Sequence, residues 1–130
     1  MTVRASTVML PLHLQNEVIH PDGQIRAGFG DDHQRRAAFV DAASKALKTA
    51  TKSGIPRVFV RMAFQVGGTD LPDNCELYRY VKQNEIMREG SGGAEFVDCL
   101  APDRPSDVTV SHNRVNAFYA TQLEQMLVRD

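Results

Sequence analysis

At 130 residues, with 42% hydrophobic side chains, the chain has material for one globular domain with an apolar core and too little for two. Fifteen basic against sixteen acidic residues leave a formal charge of -1 with no long basic run, which excludes the broad cationic surface that nucleic acid requires. The apolar stretch Thr7–Leu12 is too short to span a bilayer and no signal-peptide cleavage pattern accompanies it, so the sequence reads as a cytoplasmic protein with no membrane partner.

Thr7-Val-Met-Leu-Pro-Leu12 is apolar without alternation, the pattern of a strand buried on both faces in a parallel sheet. Pro11 has no N–H to give to a ladder, which places the end of the strand near it. His20-Pro-Asp-Gly23 is a turn by composition, and Gly28 to Asp32 is a second flexible stretch. Phe39, Val40, Ala43, Ala46, Leu47 and Ala50 then recur at spacings of three and four, with Arg35, Arg36, Asp41, Lys45, Lys48 and Lys52 largely on the other face. That is an amphipathic helix, stopped by Gly54 and Ile55-Pro56. A second strand is expected at Val58–Val60 within Arg57–Met62.

Strand, helix and strand joined by a short loop make a right-handed parallel crossover, and an α/β class follows. From Phe64 to Pro105 the chain is rich in Gly, Asp and Asn, with a short helix expected around Leu77–Met87 and a glycine-rich turn at Gly90–Gly93. An excursion of that length builds a binding surface or an oligomer contact. Val108–Val110 is the third strand. Thr121-Gln-Leu-Glu124 reads as a capping box opening a last helix whose apolar face is Leu123, Met126 and Leu127.

Cys75 and Cys99 stand outside any Cys-x-x-Cys or Cys/His cluster, so free thiols and no bound metal or cofactor are expected.

Three segments carry a family resemblance. Leu12-His-Leu-Gln-Asn-Glu-Val18 resembles the Asp-Met-Gln-Asn-Asp-Phe signature of isochorismatase-like cysteine hydrolases, with Gln15 and Asn16 retained. Ser53-Gly-Ile-Pro-Arg-Val-Phe-Val60 is similar to their helix-to-strand turn. His112-Asn-Arg-Val-Asn-Ala-Phe118, followed by Ala120-Thr-Gln-Leu123, resembles their Lys-x-Arg-x-Ser-Ala-Phe segment and the Gly-Thr-x-Leu that opens the next helix. The resemblance implies one domain over residues 1–130, an open, mostly parallel sheet with helices on both faces. Its carboxyl-terminal part is absent from the sequence, which stops at Asp130.

It also implies an Asp/Lys/Cys triad, in which the aspartate takes the thiol proton and the thiolate attacks an amide-like carbon. His13 stands at the aspartate position and His112 at the lysine position, while neither Cys75 nor Cys99 matches the place of the nucleophile. The Asp-x-His pattern of the nicotinamidase branch is absent from Met62-Ala-Phe-Gln-Val66.

The candidate site is therefore His13 and His112, converging at the carboxyl ends of neighbouring strands, where open α/β sheets hold ligands. The imidazoles could act as an acid/base pair or accept a metal, for which two ligands are too few, or remain solvated or hydrogen-bonded loop histidines. Arg114 could hold a substrate carboxylate or bridge its own loop to an acid such as Glu17. Gln15 could meet substrate or tie loops together. Asn116, Phe118 and Tyr119 could line the same mouth, with Phe118 also a core candidate.

Three functions fit: a family fold inactive or incomplete as a thiol-dependent hydrolase, one piece or one chain of an active hydrolase, or a non-catalytic module for a small ligand. The first strand, central in the resembling fold, would have a partner on one side only, and the chain is expected to exist as a homo-oligomer or with a complementary chain.

Overall fold

The computed structural model describes residues 7–25 and 28–128. Its elements in order are α1 (Asn16–Ile19), α2 (His33–Lys52), β1 (Val58–Met62), α3 (Glu76–Gln83), β2 (Val108–His112) and α4 (Leu123–Leu127), with a 3-10 turn at Asp98–Leu100 between α3 and β2. β1 and β2 pair in parallel, in register from Val58 with Val108 to Met62 with His112. On the opposite edge of β1 runs the first apolar segment, also parallel, through the bridges of Met9 with Arg57 and Leu12 with Val60.

This segment ends near Pro11, as expected, with its last pairing bond to β1 at His13, and Pro11 itself takes part in the ladder. Met9 N–H donates to Pro56 O at 2.9 Å, Val60 N–H donates to the Pro11 carbonyl at 2.9 Å, and His13 N–H donates to Val60 O at 2.8 Å. Proline withholds one donor and nothing else, because its carbonyl still accepts. β2 runs two residues beyond the expected Val110, and so carries His112 at its end.

Alternation along β1 separates two cores. Phe59 faces α2 and packs with Leu14, Ile19, Leu47 and Leu100, whereas Val58 and Val60 face the other way, onto Val110 and Leu123 of α4. Helices thus cover both faces of an open parallel sheet. A third cluster of Phe64, Leu71, Tyr78, Val81, Ile86 and Met87 lies under the long excursion and gives it a core of its own.

The buried stripe of α2 is Arg36, Leu47 and Ala50, with Val40 and Ala43 partly covered. Phe39 and Ala46, expected on this stripe, are exposed, and Arg36, expected on the polar face, is inside. Its guanidinium donates to Gly30 O at 2.7 Å and lies over the Phe29 ring, so the loop before the helix shields it. Asp32 caps the helix by accepting from Arg35 N–H at 2.9 Å, and Gly54 at φ +68° closes it.

α3 stops at Gln83, short of the expected Met87, because Glu85 and Met87 adopt positive φ and turn the chain back so that Arg88 pairs with Phe64. The capping box at Thr121 is only half formed. Thr121 Oγ1 accepts from Leu123 N–H at 3.3 Å, but among the described residues the Glu124 carboxylate returns no bond, and the helix starts two residues later.

Candidate functional site

At the carboxyl ends of the strands the chain leaves the sheet through His13, which takes φ +55°, a left-handed conformation that costs a non-glycine residue energy unless its neighbours hold it. What holds it is Gln15. After His13 the backbone curls away, and the Gln15 carboxamide takes its place on the ladder: Oε1 accepts from Met62 N–H at 2.9 Å and Nε2 donates to Met62 O at 2.7 Å. The second Nε2 hydrogen reaches Ala94 O at 2.8 Å in the excursion. A side-chain amide here reproduces a peptide group, which fixes the end of the first strand against the end of β1. Gln15 is wholly buried and both its amide hydrogens are engaged by protein carbonyls, so of the two roles open to it the structure shows the one that ties segments together.

Met62 pairs with His112, and the same register brings the two imidazoles together. His13 Nε2 and His112 Nε2 are 2.7 Å apart, with ring centroids at 5.0 Å and planes tilted by 35°. His112 Nδ1 lies 2.6 Å from the Arg114 carbonyl. A carbonyl only accepts, so His112 Nδ1 carries the proton, His112 Nε2 accepts in the neutral ring, and His13 Nε2 donates. His112 is buried and His13 half-buried. Burial first, and the neighbouring His112 second, hold the His13 pKa below the ordinary imidazole value.

The loop after β2 is pinned to the turn that follows β1. Arg114 Nη1 donates to Asp70 O at 2.9 Å and to Asn113 O at 2.7 Å, while Asn113 Nδ2 donates to Asp70 Oδ2 at 3.1 Å. Arg114 thus bridges to Asp70 by a backbone carbonyl, and Glu17 instead accepts from Gln24 N–H. The remaining Arg114 nitrogens, Nε and Nη2, make no hydrogen bond among the described residues. Asn116 Oδ1 is occupied by Phe118 N–H, and Phe118, a core candidate by sequence, is 47% exposed. Neither residue makes a hydrogen bond or ring contact with the histidines.

A cavity of about 180 Å³ is lined by His112 with Ala63, Ser111, Asn113, Ala120 and Thr121; His13 and Arg114 lie outside its lining. Ser111, Asn113 and Asp70 carried no sequence signal beyond their place near strand ends and a glycine turn. A larger cleft of about 610 Å³, lined by residues including Glu17, His20, Asp98 and Cys99, contains neither histidine of the pair. The strand-end site is the better candidate, because there the sheet register converges titratable groups. Both cysteines are free: Cys75 packs against the core of the excursion and Cys99 is exposed on the 3-10 turn. Among the described residues no cluster of three or more His, Cys, Asp or Glu could hold a metal, and no helix is long and apolar enough to cross a membrane.

The model of the isochorismatase domain matches residues 7–130. The chain belongs to the isochorismatase family. Among solved structures it is similar to a cysteine hydrolase from Pseudomonas syringae pv. phaseolicola 1448A, with TM-score 0.79 and 22% identity over 98% of this chain and 56% of that one. An isochorismatase family protein from Desulfovibrio vulgaris subsp. vulgaris str. Hildenborough gives TM-score 0.74 and 19% identity over 95% and 61% of the two chains. N-carbamoylsarcosine amidase from Thermoplasma acidophilum gives 0.67 and 23% over 92% and 59%. At these identities the likeness shows the fold, and the chain spans only 56–61% of the length of these three structures. No curated protein matches the sequence.

Proposed function

We propose that this isochorismatase-family domain does not by itself perform thiol-dependent hydrolysis, and that the strand-end site of His13 and His112, with Arg114 on the loop after β2, takes a small ligand bearing a carboxylate. The supporting observation is the His13–His112 contact at 2.7 Å. The resemblance asks for a carboxylate to accept a thiol proton and an ammonium beside it, and an imidazole bonded to an imidazole supplies neither charge. No hydrogen bond joins the sulfur of Cys75 or Cys99 to either ring among the described residues. Arg114, with Nε and Nη2 unengaged, supports the choice of a carboxylate, which a guanidinium meets through charge-assisted hydrogen bonds.

The test uses the purified chain with amides, nicotinamide and isochorismate, before and after iodoacetamide. Turnover that alkylation abolishes would refute the reading. Calorimetry with succinate examines the ligand, and Arg114→Ala is expected to weaken binding roughly 10- to 100-fold, the worth of a charge-assisted contact of about 1.5–3 kcal/mol. Unchanged affinity rejects Arg114 as the anchor.

A homo-oligomeric state is part of the same proposal. The bonds of Met9, Pro11 and His13 run to β1, so the backbone groups of Leu10 and Leu12 point to the other side, and the Leu12 side chain is 53% exposed. A second copy is the simplest occupant, because a two-fold axis pairs such an edge with itself. Light scattering at micromolar concentration is expected to report a dimer, and Leu10→Pro, which makes the edge less able to pair, a monomer. A wild-type chain that remains monomeric under those conditions removes the proposal.

A further inference from the structure

The hydrogen-bond polarity of the histidine pair says more than that a ligand sits there. Starting from the Arg114 carbonyl, and with both rings neutral, the order of donors follows: His112 Nδ1–H donates to the carbonyl, His112 Nε2 accepts, and His13 Nε2–H donates to it. One basic nitrogen is left over, His13 Nδ1. It has no hydrogen-bond partner among the described residues and is not one of the fully sequestered unpaired polar atoms, so it keeps contact with solvent. A base whose far nitrogen is held by a second group, itself oriented by a third, is the arrangement that activates a nucleophile in general-base chemistry.

Resting on the reading of the site given above, we propose that His13 is a general base for thiol-free hydrolysis of small carboxylate-bearing esters, with water as the nucleophile and His112 as the positioning residue that orients it.

In the attack, His13 Nδ1 takes a proton from water as the water oxygen bonds to the acyl carbon and the carbonyl electron pair moves to its oxygen. In the collapse that pair re-forms the C=O bond, the bond to the alcohol oxygen breaks, and the leaving oxygen takes the proton back from His13. Ester and water become acid and alcohol, with no oxidant or reductant needed. When His13 carries the proton, its Nε2–H still points at His112 Nε2, so the positive ring keeps its acceptor and the neutral second ring pays no protonation of its own. Esters fit better than amides, since an alkoxide or phenoxide leaves with the one proton His13 returns.

Other charged groups are turned elsewhere. The Asp70 carboxylate accepts from Gln65 N–H and Asn113, and Arg61 at the end of β1 is paired with Glu89 and Ser111. Neither competes for the His13 proton through a direct hydrogen bond. Burial, the larger cause, holds the His13 pKa below the ordinary imidazole value, which favours the uncharged ring that can take a proton at neutral pH.

The experiment follows nitrophenolate release from the mono-4-nitrophenyl ester of succinic acid by the whole chain, by Cys75→Ser/Cys99→Ser, by His13→Gln and by His112→Gln, with folding verified by circular dichroism. The double serine variant is expected to match wild type, and His13→Gln to lose on the order of 10²-fold in kcat/KM, the low end of what a positioned base contributes. The wild-type profile rises from acid to a plateau with its midpoint below the ordinary imidazole value. His112→Gln should lower kcat more than it raises KM and shift the midpoint of that rise, since the ring that accepts from His13 Nε2–H is gone, a readout that a merely structural role would not move. A folded His13→Gln variant as fast as wild type overturns the inference, and so does a wild-type chain no faster than its urea-unfolded form. Activity lost on Cys→Ser substitution would overturn the thiol-free proposal above as well. Succinate binding sensitive to Arg114→Ala but without hydrolysis leaves the ligand site standing and refutes only the general base.

Discussion

Asp107→Ala is expected to lower the unfolding free energy by about 3–5 kcal/mol, the range found when one member of a buried ion pair is removed. Arg57 enters the interior at the start of β1, 5% exposed, and the Asp107 side chain that meets it is 2% exposed. The guanidinium donates through Nε to Asp107 Oδ1 at 2.9 Å and through Nη2 to Oδ2, a two-pronged contact, and a further bond of 2.6 Å runs to Asp103. Asp107 also accepts from the backbone N–H groups of Asp103 and Arg104, so the carboxylate gathers the turn before β2 around the arginine. Without it a guanidinium that cannot shed its proton is left inside. Asp103 remains, but its side chain is 75% exposed and its pull is weakened by solvent. A domain of this size is stable by about 5–15 kcal/mol, so the melting temperature should fall by roughly 10–20 °C. Replacing both partners, as Arg57→Met/Asp107→Leu, should recover much of the loss. A single variant melting within about 2 °C of wild type would show the pair to be dispensable.

Acid should act on the same contact. Burial alone would raise the Asp107 pKa, but the bonds from Arg57 and from the two backbone N–H groups outweigh it and hold the pKa below 3.8. A folded carboxylate that binds its proton less tightly than the unfolded one adds stability above pH 3.8. That contribution is lost as pH falls from there through the folded pKa. The Arg57 pKa moves the opposite way, raised chiefly by its bond to Asp107, and has no consequence in the range where proteins are handled.

Arg57 also shows which parts of the molecule a sequence displays. The strand, helix, strand order was legible because apolar periodicity reports burial, and Gly54 and the His20–Gly23 turn were legible because their conformations depend on the residues themselves, the turn closing with Gly23 N–H on His20 O at 2.9 Å. Residues that carry both charge and burial were not. Arg36 and Arg57 look like solvated cations until Phe29 and Phe59 are found beneath them, at 5.9 and 5.3 Å from ring centroid to guanidinium. Phe39 and Ala46 fitted a helical stripe yet face outward, because the stripe is narrow and Arg36 occupies one of its places. At the site, the convergence of His13 and His112 came from the family resemblance and not from any local pattern, since the residues are 99 apart in sequence and only the register of three chain segments joins them. The ties of Asp70 to Asn113 and Arg114 left no trace in spacing, and the half-formed box at Thr121 shows a motif whose residues were present while the helix began elsewhere.

Gln15→Ala is expected to cost about 3–5 kcal/mol and to loosen the histidine pair at the same time. Three backbone groups depend on this side chain: Met62 N–H, Met62 C=O and Ala94 C=O. Alanine leaves each without a partner in a wholly buried place, at about 1–3 kcal/mol for every group that water does not reach. The loss also frees His13, two residues earlier, from the ladder that sets its distance to His112. The variant should therefore show a weaker His13–His112 bond by imidazole NMR even at temperatures where it is fully folded. Gln15→Glu separates size from chemistry. It keeps the shape but puts an acceptor against two carbonyls, so it should be nearly as unstable as alanine at neutral pH. Its carboxyl would be driven to keep a proton, raising the folded pKa above the unfolded one, and such a group regains stability as pH falls through the folded value toward about 4.3. A Gln15→Glu chain whose stability does not improve between pH 7 and pH 5 relative to wild type, or a Gln15→Ala chain with the imidazole contact intact, would show that the carboxamide fills space and does not carry the strand ladder into the site.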